Sequence, residues 1–257
     1  MAKRKQIGIC HICGLEGPLS KEHVPPQAAF NDRAVITVNF ERAMSLGPDE
    51  EITLKDGKQQ QGGASMYTLC GQCNNNTGKW YGNAFVDWCY QGMDILIRAN
   101  GRPSLIYLYH AFPLRIIKQI VTMFCSVNSP KMAAKYPALV DFVLCKEKRY
   151  LPPKFRFFVY YNIEGCYRYA GITAGMRIDR GKHSLFSEIS FPPFGYVMAL
   201  DSEPPDERLF EITHFSRYRY NDFLDTEMHL PVLPTHLALP GDYRTKEEIR
   251  EQIARAS

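Results

Sequence analysis

Apolar positions recur at helical spacing over three stretches of the chain. In 74–99, Trp80, Phe85, Trp88, Ile95 and Leu96 supply one broad face, and Gly78, Gly82 and Gly92 are weak points within it. Ile116, Ile117, Ile120, Val121 and Phe124 predict a helix over 111–127. Met132, Tyr136, Leu139, Val140 and Val143 predict another over 131–146, opened by Pro130 and kinked or broken at Pro137. A charged helix is expected over 243–255, with Thr245 and Glu248 at the spacing of a capping box.

Strand patterns bracket these helices. A short strand ends in Lys21-Glu22-His23-Val24 and is stopped by Pro25-Pro26; others are expected over 33–40 and 65–69, the latter delivering Cys70. Residues 27–64 form a long excursion with a turn at Lys55-Asp56-Gly57-Lys58, a candidate for substrate contact or for disorder. After Pro152-Pro153, strands are expected near 155–162, 166–173, 185–190 and 194–200, with a turn at Asn162-Ile163-Glu164-Gly165 between the first two. The expected fold class is α+β. Residues 1–100 would form a strand–strand–helix unit around a metal, and 101–257 a mixed helical and antiparallel β domain.

Composition changes this picture little. A chain of 257 residues, 45% hydrophobic and 23% charged, can bury one or two ordinary cores. No apolar stretch has the length of a membrane span or a signal-peptide core, so a soluble, cytoplasmic protein without membrane partners is expected. Net charge is +4, but nine basic residues against three acidic fall within 146–182, interleaved with Tyr150, Phe155, Phe157, Phe158, Tyr160, Tyr161, Tyr167 and Tyr169. Such a basic, aromatic hairpin can track a phosphate backbone through Lys154, Arg156 and Arg168, or form the cationic outer face of an ordinary sheet.

The chemistry concentrates near the N-terminus. Cys10-x-x-Cys13 and Cys70-x-x-Cys73 are two knuckles, and four thiolates in that arrangement suit a closed tetrahedral zinc site. They frame Glu22-His23, and Asn74 follows the last cysteine directly, with Asn75 and Asn76 behind it. An imidazole titrates near neutrality and can take a proton from water. A carboxylate and an amide oxygen suit Mg²⁺ or Mn²⁺. Adjacent strand residues point to opposite faces, so Glu22 and His23 would need a local twist to reach one phosphate. His229 and His236 lack partners at metal spacing, and Cys89, Cys125, Cys145 and Cys166 read as buried small hydrophobes.

Cys10-x-x-Cys13, Glu22-His23-Val24-x-Pro26 and Leu69-Cys70-x-x-Cys73-Asn74 with Gly78 together resemble the HNH nuclease superfamily, the ββα-metal fold, in its zinc-stabilised endonuclease VII-like layout. The resemblance covers about a third of the chain. It implies a DNA endonuclease with His23 as general base, Glu22 and Asn74 as ligands of a catalytic Mg²⁺ or Mn²⁺, and the four cysteines as a structural Zn²⁺ cage. Glu22 stands where the common pattern has Asp, Ser65 where it has a middle Asn, and Asn74 where it has a final His. By analogy with stand-alone members, an anti-phage role follows, with 101–257 binding substrate, forming a homo-oligomer or answering to a regulatory protein partner. The alternative is a catalytically silent zinc module that binds nucleic acid or protein.

Overall fold

A computed structural model of the chain describes residues 6–45, 53, 55–100, 102, 104–163, 167–177, 182–235 and 239–256. Strands β1 (Ile7–Ile9) and β2 (Glu16–His23) form an antiparallel hairpin, with Ile7 opposite Pro18 and Ile9 opposite Glu16. The knuckle between them is closed by two backbone bonds of 2.9 Å, Cys10 N–H to Leu15 O and Gly14 N–H to Cys10 O, with Gly14 at φ +72°. A residue with a Cβ rarely adopts that conformation, so glycine fits this corner.

Beyond β2 the chain makes β3 (Val35–Thr37), α1 (Phe40–Ser45) and β4 (Lys58–Gln60), with β3 and β4 paired. The strand expected over 33–40 is therefore cut short. Asn39 Oδ1 accepts from Arg42 N–H at 2.8 Å, an N-cap that starts a helix where alternation alone suggests strand. Strand β5 (Ser65–Cys70) then pairs with β2, completing a three-stranded sheet ordered β1-β2-β5. Helix α2 (Gly71–Thr77) starts directly from β5, followed by a π-helical turn over Gly78–Gly82 and α3 (Asn83–Ala99). The weak points at Gly78 and Gly82 thus mark the ends of a π turn inside a helical run.

After β6 (Ser104–Ala111), α4 (Pro113–Val127) is buried at nearly every position, opened by a proline. The segment expected as one helix over 131–146 is two, α5 (Pro130–Lys135) and α6 (Pro137–Leu144). Pro137 brings no N–H and drives Tyr136 out of helical geometry, to φ −126° and ψ 69°. The ammonium of Lys118, fully buried on α4, donates to the carbonyls of Phe142 and of Cys145 (2.7 Å), satisfying the C-terminal end of α6.

The later strands are β7 (Phe155–Tyr161), β8 (Arg168–Arg177), β9 (Lys182–Phe191), β10 (Phe194–Leu200), β11 (Phe210–Glu211) and β12 (Leu224–Pro231), with α7 (Lys246–Ala256) last. Five form an antiparallel sheet ordered β11-β7-β10-β9-β8, and β12 pairs with β6. Phe158, Tyr160, Phe186, Val197, Ala199, Leu209, Leu233 and Tyr243 form a core cluster. Gly92 is needed on α3 because a Cβ there would fall 2.2 Å from Phe194 Cζ. Thr245 and Glu248 make the expected reciprocal capping box at the start of α7.

The architecture is α+β, and among the described residues no helix is long and apolar enough to cross a membrane. The chain divides into two compact units interleaved in sequence. One gathers Met1–Tyr90, His110–Pro152 and Thr213–Asp225; the other gathers Gln91–Tyr109, Pro153–Ile212 and Thr226–Ser257. Helices α4 to α6 therefore belong with the N-terminal sheet. Part of the 27–64 excursion, Glu164 and Gly165 of the expected turn, Cys166 and His236 lie outside the described residues.

Candidate functional site

The four knuckle cysteines meet at one point. Cys10 and Cys13 come from the β1–β2 corner, Cys70 ends β5 and Cys73 sits in the first turn of α2. Their sulfurs all lie within 4.8 Å of one another, with Cys13 Sγ and Cys70 Sγ 3.9 Å apart. A tetrahedral ion with bonds of about 2.3 Å spaces its sulfurs by about 3.8 Å, so the four cysteines are close enough to hold a metal ion with small side-chain shifts. Cys70 Sγ also accepts from Cys73 N–H at 3.5 Å, tying the cage to the start of the helix. The hydrogen bond from Cys73, with help from backbone N–H groups, pulls the Cys10 thiol down to about 4, while the same contact pushes Cys73 up. Cys89 and Cys125 are buried small hydrophobes as expected, but Cys145 is exposed because it lies just past the end of α6.

The cage also fixes the neighbouring sheet. His11 N–H donates to Thr68 O at 2.8 Å, where β5 carries one more residue than β2 between Ser20 and Lys21. His11 Nδ1 lies 3.1 Å from Cys125 O, near the end of α4.

His23 is the last residue of β2, half-buried, with Nε2 3.0 Å from Gly62 O. A carbonyl only accepts, so Nε2 carries the proton and Nδ1 presents a lone pair. Burial, then the positive charge of Lys21, lowers the imidazole's affinity for a second proton, which keeps it neutral near pH 7.

The carbonyl that orients His23 belongs to a segment held by Asn31, a residue that sequence reasoning missed. Buried Asn31 donates through Nδ2 to Pro25 O (2.7 Å) and Ala64 O (2.9 Å), and its Oδ1 accepts from Ala64 N–H (2.7 Å). One amide thus clamps both ends of the long 27–64 excursion. The fit is tight, since a Cβ on Gly63 (φ +97°) would fall 1.8 Å from Asn31 O. The only sequence signal is an asparagine soon after a strand-ending Pro-Pro, which is too common to single out.

Asn74, on α2, docks against β2. Its Nδ2 donates to Ser20 Oγ (3.0 Å) and Lys21 O (3.2 Å), and Ser20 Oγ donates on to Leu69 O (2.9 Å). With both amide hydrogens engaged, Oδ1 is left to act as an acceptor or metal ligand. Asn75 and Asn76 make no side-chain hydrogen bond to β2 among the described residues.

Glu22 is 5% exposed, and its carboxylate has no hydrogen-bond or ion-pair partner among the described residues. Burial alone pushes it up to about 8. The ladder is regular where Glu22 faces Met66 and His23 faces Ser65, so the two side chains leave β2 on alternate sides. The irregularity of this strand pair lies earlier, between Ser20 and Lys21.

The basic hairpin is largely committed to its own sheet. Arg168 is buried against Glu188 at 2.7 Å, Arg156 pairs with Glu211 (2.8 Å) and Glu203 (3.6 Å), and Lys154 lies 3.9 Å from Asp201. Glu188 also accepts from Tyr160 Oη, Tyr243 Oη and Gly241 N–H, so Arg168 is part of a core network and not a surface cation. His229 is exposed on β12. No family model, no curated protein and no solved structure matches this chain.

Proposed function

We propose that the chain is a metal-dependent endonuclease of the HNH type, stapled by a structural zinc ion and hydrolysing phosphodiester bonds in DNA. The observation that carries the reading is the pairing of a base with its orienter. His23 is held through Nε2 by Gly62 O, with Nδ1 open to a proton, two residues along β2 from the carbonyl that anchors Asn74. Nδ1 takes a proton from the attacking water, and the imidazolium that results keeps its bond to Gly62. The four cysteines would hold the zinc, which would tie the β1–β2 corner to β5 and α2 and take no part in the reaction. Asn74 Oδ1 would hold the catalytic Mg²⁺ or Mn²⁺, and the Glu22 carboxylate would join it only with a local twist of β2 that brings it to the side of His23. When bound, that ion supplies neutralisation of charge on the phosphoryl group and the leaving oxygen. A buried carboxylate without a protein partner is the kind of group a cation would satisfy.

The competing reading is a zinc module that binds without cleaving, and Glu22 is what favours it. Buried on the side of β2 away from His23 and protonated at neutral pH, it would be a packed core acid. Incubating supercoiled plasmid with the zinc-loaded protein and Mg²⁺ or Mn²⁺ separates the two. The nuclease reading expects nicking or linearisation by the wild type and loss of it in His23→Ala with zinc content unchanged. Intact plasmid with either ion, together with intact single-stranded DNA, would leave the binding module.

A further inference from the structure

Next to His23 lies a cleft that the hydrolytic chemistry does not use. It is a hollow of 270 Å³ lined by Gln27, Ala28, Phe30, Asp32 and Tyr90. Its wall joins the His23 site directly, because Gln27 Nε2 donates to Gly62 O at 3.3 Å, the carbonyl that also orients His23. A ligand in the cleft would therefore lie one shared hydrogen-bond acceptor away from the imidazole.

The cleft has an aromatic floor. The Phe30 and Tyr90 rings meet with centroids 4.7 Å apart and planes tilted by 37°, and Tyr90 is 55% exposed. Holding Phe30 there costs strain, since its φ is +65°, a conformation in which a bulky side chain is uncommon. Ala29 N–H to Pro26 O (2.8 Å) and Asn31 N–H to Gln27 O (3.1 Å) fix the turn on either side. The polar groups at the rim are three exposed side chains: the Gln27 amide and the Tyr90 hydroxyl, which can donate or accept, and the Asp32 carboxylate, which only accepts.

A flat ring face beside hydrogen-bonding side chains matches a nucleobase by its π-face and its edge. The Asp32 carboxylate, the one rim group that cannot donate, favours bases with an exocyclic amino group (adenine, cytosine or guanine) over thymine, whose single N–H is flanked by two carbonyl oxygens that repel a carboxylate. A base inside a duplex has no free face, so the occupant must be unstacked. We propose that the Phe30–Tyr90 cleft is a subsite for an unstacked, amino-bearing nucleobase of the strand whose phosphodiester lies at His23. This rests on the endonuclease reading for the phosphodiester, and it names the preferred substrate as single-stranded or locally opened DNA.

The test measures binding by fluorescence anisotropy, using labelled oligo-dA and oligo-dT and the full-length His23→Ala chain so that no substrate is consumed. Oligo-dA is expected to bind more tightly than oligo-dT. Adding Tyr90→Ala should weaken oligo-dA binding about 10-fold, within the range measured for loss of one stacked base, while Tyr90→Trp retains it. Asp32→Asn should bring the two oligonucleotides together. Tyr90 is exposed, so these variants fold as the parent does. An unchanged Kd in Tyr90→Ala, or equal binding of oligo-dA and oligo-dT by the parent, overturns the subsite even if the wild type cleaves DNA. Loss of binding in Tyr90→Ala supports it even if the wild type cleaves nothing, so the two readings fail separately.

Discussion

Replacing Asn31 with alanine removes three hydrogen bonds at once, those to Pro25 O, Ala64 O and Ala64 N–H. Ala64 O keeps a bond from Val24 N–H at 3.2 Å, so the groups left without their bond to Asn31 are Ala64 N–H and Pro25 O. Each buried polar group left unsatisfied costs about 1–3 kcal/mol, which puts the loss at about 2–6 kcal/mol. With a urea slope of about 2 kcal/mol per molar, the unfolding midpoint should fall by about 1–3 M. Tryptophan fluorescence is the right probe, because Trp80 and Trp88 are the only two tryptophans and both belong to the unit that contains Asn31. Asn31→Asp is the informative companion. It preserves the acceptor for Ala64 N–H but sets a carboxylate against two carbonyl oxygens, so it should be at least as unstable as the alanine variant despite its size. The same segment carries Gly62 O, so both variants should also lose His23 orientation and with it any DNA cleavage. A midpoint that does not move in Asn31→Ala, or an Asn31→Asp protein as stable as wild type, would refute the clamp.

Purified protein should carry about one zinc per chain by metal analysis, and Cys70→Ser should lose it and unfold at markedly lower urea, since such sites contribute folding free energy directly. A stable, fully folded Cys70→Ser protein would contradict the cage. Asn74→Ala should retain zinc but require more Mg²⁺ for half-maximal cleavage; an unchanged Mg²⁺ requirement removes Asn74 from the metal site. Lys118 is held by burial at about 7, well below the ordinary value of 10.5. Between those values the unfolded chain binds the extra proton, so stability should rise with pH across that window, by at most about 1.4 kcal/mol per unit. Lys118→Met should flatten that rise in urea titrations at successive pH values.

Much of the helical content was legible because its periodicity is strong: Ile116, Ile117, Ile120, Val121 and Phe124 are all buried on α4. Pro137 announced the break between α5 and α6, and Thr245 with Glu248 announced α7. The two Cys-x-x-Cys pairs announced the cage because local turns bring each pair together whatever the rest of the chain does. What the sequence hid depends on long-range contacts. Strand β6 reads Leu105-Ile106-Tyr107-Leu108-Tyr109, a continuous apolar run in which period cannot separate strand from helix. Arg168 reads as part of a basic surface but is neutralised by Glu188, twenty residues away on the neighbouring strand β9. Asn31 becomes a clamp only when Ala64 returns to it across the excursion. The alternate directions of Glu22 and His23 follow from strand geometry, and their regular pairing with Met66 and Ser65 leaves that alternation in place.

The proposed nuclease activity depends on the imidazole of His23 accepting a proton during phosphodiester hydrolysis. The most direct measurement is single-turnover cleavage of labelled DNA by zinc-loaded His23→Gly in Mg²⁺, with and without added imidazole. The expected result is a loss of about 10²-fold or more, the scale of a missing general base, with zinc content and fold intact and partial recovery when free imidazole fills the vacated space. Cleavage by His23→Gly at the wild-type rate would contradict it, as would a wild-type protein that cuts no DNA with either Mg²⁺ or Mn²⁺.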